Sequence, residues 1–520
     1  MISAVAGMSP SARRTLLTIC TMTATIMQAL DTTIANVALP YMQGSLSASL
    51  DQISWVLTSY IVAAAVMTAP VGWLADRFGR KKLFIVCVTG FTFASLLCAL
   101  AQNIEQIVAF RLLQGMCGAA LVPLSQSVML DAYPIEQRGQ AMGIWGVGVM
   151  LGPIMGPTLG GFLTENYSWH WVFLVNIPVG ILTVLGLLVF MDETRRHEHL
   201  RFDWFGFVAL AAGIGSLQLM LDRGEQLGWF TSPEIVAEAI VSVLGFYYFF
   251  AHSLTTPEPF VRFAIFRDRN FLIACFFMVI MGLMLFSSMA LSTPFIQNIL
   301  GYPITTAGGV LASRGIGTLI GMLMIGRLLR IVEARYLILI GLTLTAATLY
   351  QMTGFTQNTS KHEIVTCGLV QGFGMGFVFI PLSTVAFLTL PQRFRTDGTA
   401  MLTLVRNVAS SIGISVVIAN LSSKTTVFYS QLAERLTPFN DALQSPDVTR
   451  WLDLATEQGR ALADQMMTLQ AAIMAYAVDY ALLTAICVIA LPFVFAIGST
   501  ASLRGGRVSL REQAPAPTSS

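Results

Sequence analysis

Asp31 stands inside an apolar stretch running from about Leu16 to Pro40, within Gln28-Ala29-Leu30-Asp31-Thr32-Thr33-Ile34-Ala35-Asn36. A charged side chain at the centre of a membrane helix costs about 2.5–3.5 kcal/mol on insertion scales, so such residues usually face a cavity or a partner. Two readings follow. Asp31 binds and releases a proton or cation, or it is a structural hydrogen-bonding hub satisfied by neighbours such as Thr32 and Asn36. Arg111 opens a later apolar run, Arg111-Leu112-Leu113-Gln114-Gly115, where its expected use is to partner Asp31 or a nearby carbonyl. Snorkelling to an interface is the alternative. Gln28, Asn36 and Gln114 join these two residues as the candidate proton and substrate site. Arg314 and Arg406 are weaker intramembrane candidates, with helix packing as the alternative use, and Asp479 stands near the start of the last apolar run, at the outer interface.

The elements that position these residues must be membrane helices. The chain is 55% hydrophobic and 11% charged with mean hydropathy +0.70 over 520 residues, far from the roughly 25% charged content of a soluble domain. A net charge of +2 gives no basic footprint for nucleic acid. The seven cysteines all fall in apolar stretches without metal-ligand spacing, so they read as packing residues rather than disulfides or a metal site. Gly-rich runs lie within spans rather than between a strand and a helix, so no nucleotide-binding or hydrolase signature is present. The protein is therefore expected to be no enzyme and to need no cofactor. Arg13 and Arg14 before the first run imitate a signal peptide, but the run is too long and lacks a cleavage site, which makes it a retained span.

Stretches near the ~20 residues a span requires begin at about 16, 53, 83, 106, 141, 171, 204, 235, 271, 305, 336, 364, 400 and 472, predicting an all-α polytopic membrane protein of fourteen helices. Between the second and third lies Gly72-Trp73-Leu74-Ala75-Asp76-Arg77-Phe78-Gly79-Arg80-Lys81-Lys82, whose five charges predict a tight water-facing loop. Alternate loops collect 21 of the 30 Lys and Arg, which by the positive-inside rule makes this loop and both termini cytoplasmic. Gln114-Gly115, Pro123-Leu124-Ser125, Pro134 and Ala141-Met142 recur as Gln371-Gly372, Pro381-Leu382-Ser383, Pro391 and Ala400-Met401, displaced by 257 to 259 residues. Two six-helix halves alone would give an offset near 200, and the surplus matches two helices inserted between them. The expected plan is a six-helix bundle over 1–202, an inserted pair over 203–257, a second six-helix bundle over 258–500 with a long outer loop at 422–470, and a cytoplasmic tail at 501–520. In that loop, Ser445-Pro446-Asp447 reads as the start of a helix with Trp451, Leu454 and Ala455 on one face. Repeats of this kind place a substrate site at the bundle interface and permit alternating access.

The fifth span reads Gly148-Val149-Met150-Leu151-Gly152-Pro153-Ile154-Met155-Gly156-Pro157-Thr158-Leu159-Gly160-Gly161. Glycines four apart permit close helix contact, while prolines remove backbone bonds and bend the helix. The equivalent thirteenth span keeps Gly413 but no Gly-Pro pair, so a symmetric packing need does not explain the motif.

Together these residues resemble the major facilitator superfamily along essentially the whole chain. Gly72, Leu74, Asp76, Arg77, Gly79, Arg80 and Lys81 fit its loop signature, Arg111 to Gly115 its span-four signature, and Gly152, Pro153, Gly156, Pro157, Gly160 and Gly161 the span-five motif associated with antiporters. Leu30-Asp31-Thr32-Thr33 through Pro40 is similar to the fourteen-span drug:proton antiporter branch, and Trp169-His170-Trp171 with Asn176-Ile177-Pro178 to exporters of the EmrB type. The resemblance implies efflux of small amphipathic or hydrophobic compounds in exchange for protons, from a bacterial inner membrane, with a periplasmic adaptor and an outer-membrane channel as partners. It further implies that Gly72, Asp76, Arg77, Gly79 and Arg80 form a conformational switch, Asp76 reaching across to the start of span thirteen near Thr399. The second-half counterpart, Gly326 to Glu333, lacks the aspartate and second glycine, so the switch is expected in the first copy alone. An exporter or importer of one metabolite, or a membrane sensor on the same body, are the other readings.

Overall fold

The computed structural model describes residues 9–134, 137–193, 202–256, 259–329, 331–436, 452 and 454–497. The tail 501–520, the start at Ser445-Pro446-Asp447 with Trp451, and Arg330 lie outside the described residues. The described residues form helices joined by short turns. The first half comprises α1 (Pro10–Ser45), α2 (Leu50–Thr68), α3 (Val71–Phe78), α4 (Arg80–Ala99), α5 (Ile104–Gly118), α6 (Leu121–Ala132), α7 (Arg138–Asn166), α8 (Trp171–Leu174) and α9 (Asn176–Phe190). After α10 (Trp204–Arg223) and α11 (Pro233–Thr255), the second half comprises α12 (Arg269–Pro294), α13 (Ile304–Leu328), α14 (Ala334–Met352), α15 (Lys361–Ala386), α16 (Arg395–Arg435) and α17 (Glu457–Ala490).

Ten helices among the described residues are long and apolar enough to cross a membrane, or up to twelve if two bent pairs each count as one span. The count of fourteen is higher because α1 and α14 fall short of that apolarity. Threonines and Asp31 dilute α1, and Arg335, Tyr350 and Gln351 dilute α14.

Local signals start the helices where they start. Asn103 caps α5 by accepting from the Gln106 N–H at 2.9 Å. At the corresponding start of α15, Ser360 and Glu363 form a reciprocal capping box. The two halves then repeat the same pairings. Helix α1 packs on α7 as α12 packs on α16, α2 on α5 as α13 on α15, and α9 on α4 as α17 on α14. The halves meet mainly where α7 lies against α13 and α16 against α6. Of the inserted pair, α10 touches α2 on one side and α16 on the other, while α11 packs chiefly on α10.

Two local expectations change. The Gly72–Lys82 run is not a loop: α3 continues through its first charges, and the only break is at Gly79, whose φ of +86° suits glycine. The turn lies earlier, at Ala69-Pro70, where the helix axis bends by 58° between α2 and α3. The segment 422–470 is helical at both ends, since α16 continues to Arg435 and α17 begins at Glu457. Falling hydropathy marks where a helix leaves the apolar layer, not where its backbone bonding stops.

The span-five glycines bring α7 onto α1 beside Asp31. A Cβ at Gly152 would lie 2.3 Å from the Ala29 carbonyl carbon, and one at Gly156 would lie 2.1 Å from Thr33 Oγ1. Thr33 uses the approach to donate to the Gly152 carbonyl at 3.1 Å. Gly160 is tight against Ile34 at 2.9 Å, whereas a Cβ at Gly161 would meet only Val37 at 4.0 Å. Helix α7 bends by 40° between its Arg138–Gly156 and Thr158–Asn166 parts, where Pro157 has no N–H to give the ladder. Gly152→Ala is expected to destabilise the protein by about 1–3 kcal/mol as an overpacked contact, seen as a lower melting temperature in detergent. Gly161→Ala should leave the melting temperature unchanged.

Candidate functional site

Asp31 sits on α1 at a level where α5 and α9 approach it, and its side chain is completely withdrawn from solvent. Arg111 Nη1 donates to Asp31 Oδ2 at 2.6 Å and to Gln114 Oε1 at 2.8 Å, and Arg111 Nε donates to the Val56 carbonyl at 3.0 Å. Gln114 Nε2 closes the ring by donating to Asp31 Oδ1 at 2.9 Å. Arg111 and Gln114 can act together because they stand three residues apart on one helix face. Asn176, at the start of α9, also donates to Asp31 Oδ1, at 3.1 Å, and to Ser95 Oγ at the same distance. The carboxylate thus holds three donors from two other helices. The Arg111 guanidinium in turn lies over the Tyr60 ring, 4.2 Å from its centroid.

Of the residues grouped with Asp31 from sequence, Arg111 and Gln114 are at the site and Asn36 is not. Asn36 is exposed and turns back to the Thr32 carbonyl at 3.4 Å, while Thr32 bonds the Ala29 carbonyl. Thr32 and Asn36 stand one and five residues beyond Asp31, off its face of α1, so the hub reading through Thr32 and Asn36 fails. Gln28 stands one step away, its Nε2 3.4 Å from the Tyr60 hydroxyl. Tyr60 and Asn176 went unassigned in the sequence. An asparagine inside an apolar span was a usable signal for Asn176, whereas nothing distinguishes Tyr60.

Tyr60 is also part of the wall of a central cavity of ≈ 250 Å³ between the two halves. Gln28, Gln218, Arg406 and Asn407 give it polar points, and Met150, Met281, Met322, Met375, Phe286 and Phe379 give it apolar surface. Arg406 therefore faces the cavity, where its nearest polar contact is Asn407 Oδ1 at 3.4 Å. Gln218 comes from α10, so the inserted pair contributes to the wall. Arg314 lies elsewhere, buried inside the second half on Ser288 and Ser292. Asp479 is not at an interface: it is fully buried and accepts from Asn420 Nδ2 at 2.6 Å, because α17 starts well before it and carries it into the bundle.

At the arginine-rich end, ionic contacts join the halves. Asp131, at the end of α6, accepts from Arg80 of its own half and from Arg395 of the other. Arg262 Nη2 donates to Asp76 Oδ2 at 2.9 Å, and its Nη1 lies 3.5 Å from Asp397 Oδ2. Ser127 and Thr396 hydroxyls are 3.1 Å apart across the same seam. Gly72 admits this contact, since a Cβ there would sit 1.7 Å from Asp397 Oδ1. Asp76 consequently does not rest on the start of α16 near Thr399. Asp397 occupies that position with a like charge, and Arg262 stands between the two carboxylates. Arg77 makes no comparable bridge, its Nη1 being buried without a partner. Glu333, in the second-half counterpart, pairs with Arg335 at 2.6 Å within its own segment. Arg262, Asp397, Asp131 and Arg395 were legible only as loop or near-loop charges, because their pairings join residues 135, 186 and 264 positions apart.

Mirrored helical bundles around a central cavity, latched at one end and holding a buried ion pair in one half, define a membrane transporter. The Major Facilitator Superfamily model matches residues 21–414, and the chain belongs to that superfamily. It is 35% identical over 436 residues to the multidrug export protein EmrB of Escherichia coli strain K12, covering 84% of this chain and 85% of that protein. It is 34% identical over 427 residues to the fatty acid resistance protein FarB of Neisseria gonorrhoeae, covering 81% and 83% respectively. Its fold is similar to the crystal structure of the human organic anion transporter MFSD10, with TM-score 0.56 and 12% identity over 92% of this chain and 100% of that one.

Removing one member of a buried pair strands the other and costs about 3–5 kcal/mol, whereas removing both charges is far milder. Arg111→Gln is thus expected to lower the melting temperature sharply, and Asp31→Asn combined with Arg111→Gln to recover most of the loss. A thermal-shift double-mutant cycle in detergent measures the coupling.

Proposed function

We propose that the protein exports amphipathic or hydrophobic toxic compounds and drugs across a bacterial inner membrane in exchange for protons, by alternating access of its two halves. Asp31 is the proton site and the central cavity the substrate site. The observation that carries this reading is the placement of the Asp31–Arg111 pair, sealed from solvent while Arg111 stacks on Tyr60, a residue of the cavity wall. A proton on Asp31 would cancel its charge and release Arg111, and the guanidinium stacked on Tyr60 would then move the cavity wall. Substrate in the cavity would favour the opposite arrangement, so that proton and substrate compete through one side chain. The membrane potential contributes about 2.3 kcal/mol per charge per 100 mV to such an exchange.

Counting α1, α14 and the two bent pairs as spans gives fourteen, with both termini and the arginine-rich end in the cytoplasm. On this reading the Asp131 and Arg262 bridges shut the cytoplasmic side, and the described conformation belongs to the outward-facing part of the cycle. Asp76, Arg80 and their partners form the latch that must break when the protein turns inward. The helical extensions α16 and α17 would project on the periplasmic side, a suitable surface for an adaptor that leads to an outer-membrane channel. The similarity to EmrB and FarB supports a resistance exporter over an importer of one metabolite.

Asp31→Asn is expected to melt lower because it strands Arg111, but still to insert, and to lose proton-driven drug uptake into everted vesicles, measured by dequenching of a pH dye on drug addition. Retention of full proton-coupled uptake would remove Asp31 from the mechanism. Asp76→Asn is expected to shift the protein toward the inward-facing state, raising labelling of a cysteine placed at Ser127 by a membrane-impermeant thiol reagent in everted vesicles.

A further inference from the structure

The displacement of 257 residues that carries Gln114 onto Gln371 also carries Arg111 onto Gly368 and Asp31 onto Ser288. The second half therefore lacks the carboxylate, but it has not lost the guanidinium. Arg314 enters from α13 instead, and donates Nη1 to Ser288 Oγ at 3.0 Å and Nη2 to Ser292 Oγ at 3.2 Å. The exchange is steric as well as chemical: a Cβ at Gly368 would lie 2.5 Å from Ser313 Oγ, so the loss of a side chain there admits the helix that carries Arg314.

This arrangement leaves a charge uncompensated. Arg314 is 6% exposed, its Nε has no partner, and among the described residues no carboxylate is within ion-pair distance of it. Asp479, one residue from Tyr480, is engaged by Asn420 instead. Gln371, whose repeat-mate holds both charges of the first-half pair, has both amide atoms buried without a partner. Beside Arg314 is a small cavity of ≈ 20 Å³, lined by Arg314, Ser292, Ser313, Gly368 and Tyr480 among apolar neighbours. It has room for one water-sized species. A neutral water would satisfy a donor but would leave the buried cation without a counter-charge, which a low-dielectric interior penalises heavily.

We infer that this cavity is a binding site for a small monovalent inorganic anion such as chloride, which takes the place of the carboxylate that the second half lacks. Arg314 supplies the charge and, with the Tyr480 hydroxyl, the donors, since the Ser288, Ser292 and Ser313 hydroxyls give their protons to backbone carbonyls. The site is separate from the substrate cavity, which none of these five residues lines.

The test uses the purified full-length protein in detergent, exchanging sodium chloride for sodium gluconate at constant ionic strength. The melting temperature is expected to rise saturably with chloride, and radiolabelled chloride to be retained by the protein. Arg314→Gln should weaken that retention at least ~10-fold, as loss of the charge-assisted donors implies. If Arg314→Gln fails to fold, Ser288→Asp decides the matter, because it restores a carboxylate next to the guanidinium. It should abolish the chloride dependence while melting in gluconate at or above the temperature of the unaltered protein in chloride. Identical melting in chloride and gluconate without retained chloride, or undiminished chloride dependence in Ser288→Asp, overturns the inference.

Discussion

A carboxylate and a guanidinium removed from water and bound to each other are the constraint on which this molecule turns. Leaving either charge alone in that position costs about 3–5 kcal/mol, so the surroundings favour keeping them together. Gln114 bridges the two, Asn176 takes the second lone-pair region of Asp31, and Tyr60 offers its ring to the back of Arg111. The close contact of α7 on α1 through Gly152 and Gly156 holds the Asp31 segment in register with these donors. Packing, hydrogen bonding and charge neutralisation are satisfied together there, and loss of either charge disturbs all three.

The two halves share their helix pairings but divide the work. The first half holds the ion pair and gives Asp76, Arg80 and Asp131 to the latch, while the second answers with Arg262, Arg395 and Asp397 at the arginine-rich end. Divergence of the repeat explains why. Once Asp31 is matched by Ser288 and Arg111 by Gly368, the second half cannot form an equivalent pair, and its own arginines take other positions. Arg314 is buried in the bundle and Arg406 faces the cavity. Two equal copies would hold a buried carboxylate–guanidinium pair in each half, whereas this chain holds it on one side of the cavity.

The class of fold was legible in the sequence because hydropathy reports membrane insertion directly, and the repeat because Pro123-Leu124-Ser125 and Pro381-Leu382-Ser383 survive divergence. Asp31 and Arg111 stood out because charge is rare in apolar runs. Their mutual contact was readable as an expectation, yet Asn36 was a wrong inclusion, since proximity along a helix is not proximity to a buried side chain. Tyr60 carried no signal, because an aromatic in a span is ordinary until something stacks on it. The latch partners were opaque for another reason. Arg262 and Arg395 read as ordinary loop charges, and only the three-dimensional seam shows that each meets a carboxylate from the other half. Helix ends were least legible of all, as in α16 and α17, because polar residues continue a helix beyond the apolar layer without interrupting its backbone bonds.

Proton release on substrate binding tests the account most directly. Purified protein in a weakly buffered solution with a pH indicator is mixed with a drug that it transports. The account predicts that the unaltered protein releases protons as the drug binds, and that Asp31→Asn binds the same drug without releasing any. Equal proton release from Asp31→Asn would contradict the claim that substrate and proton compete through this carboxylate.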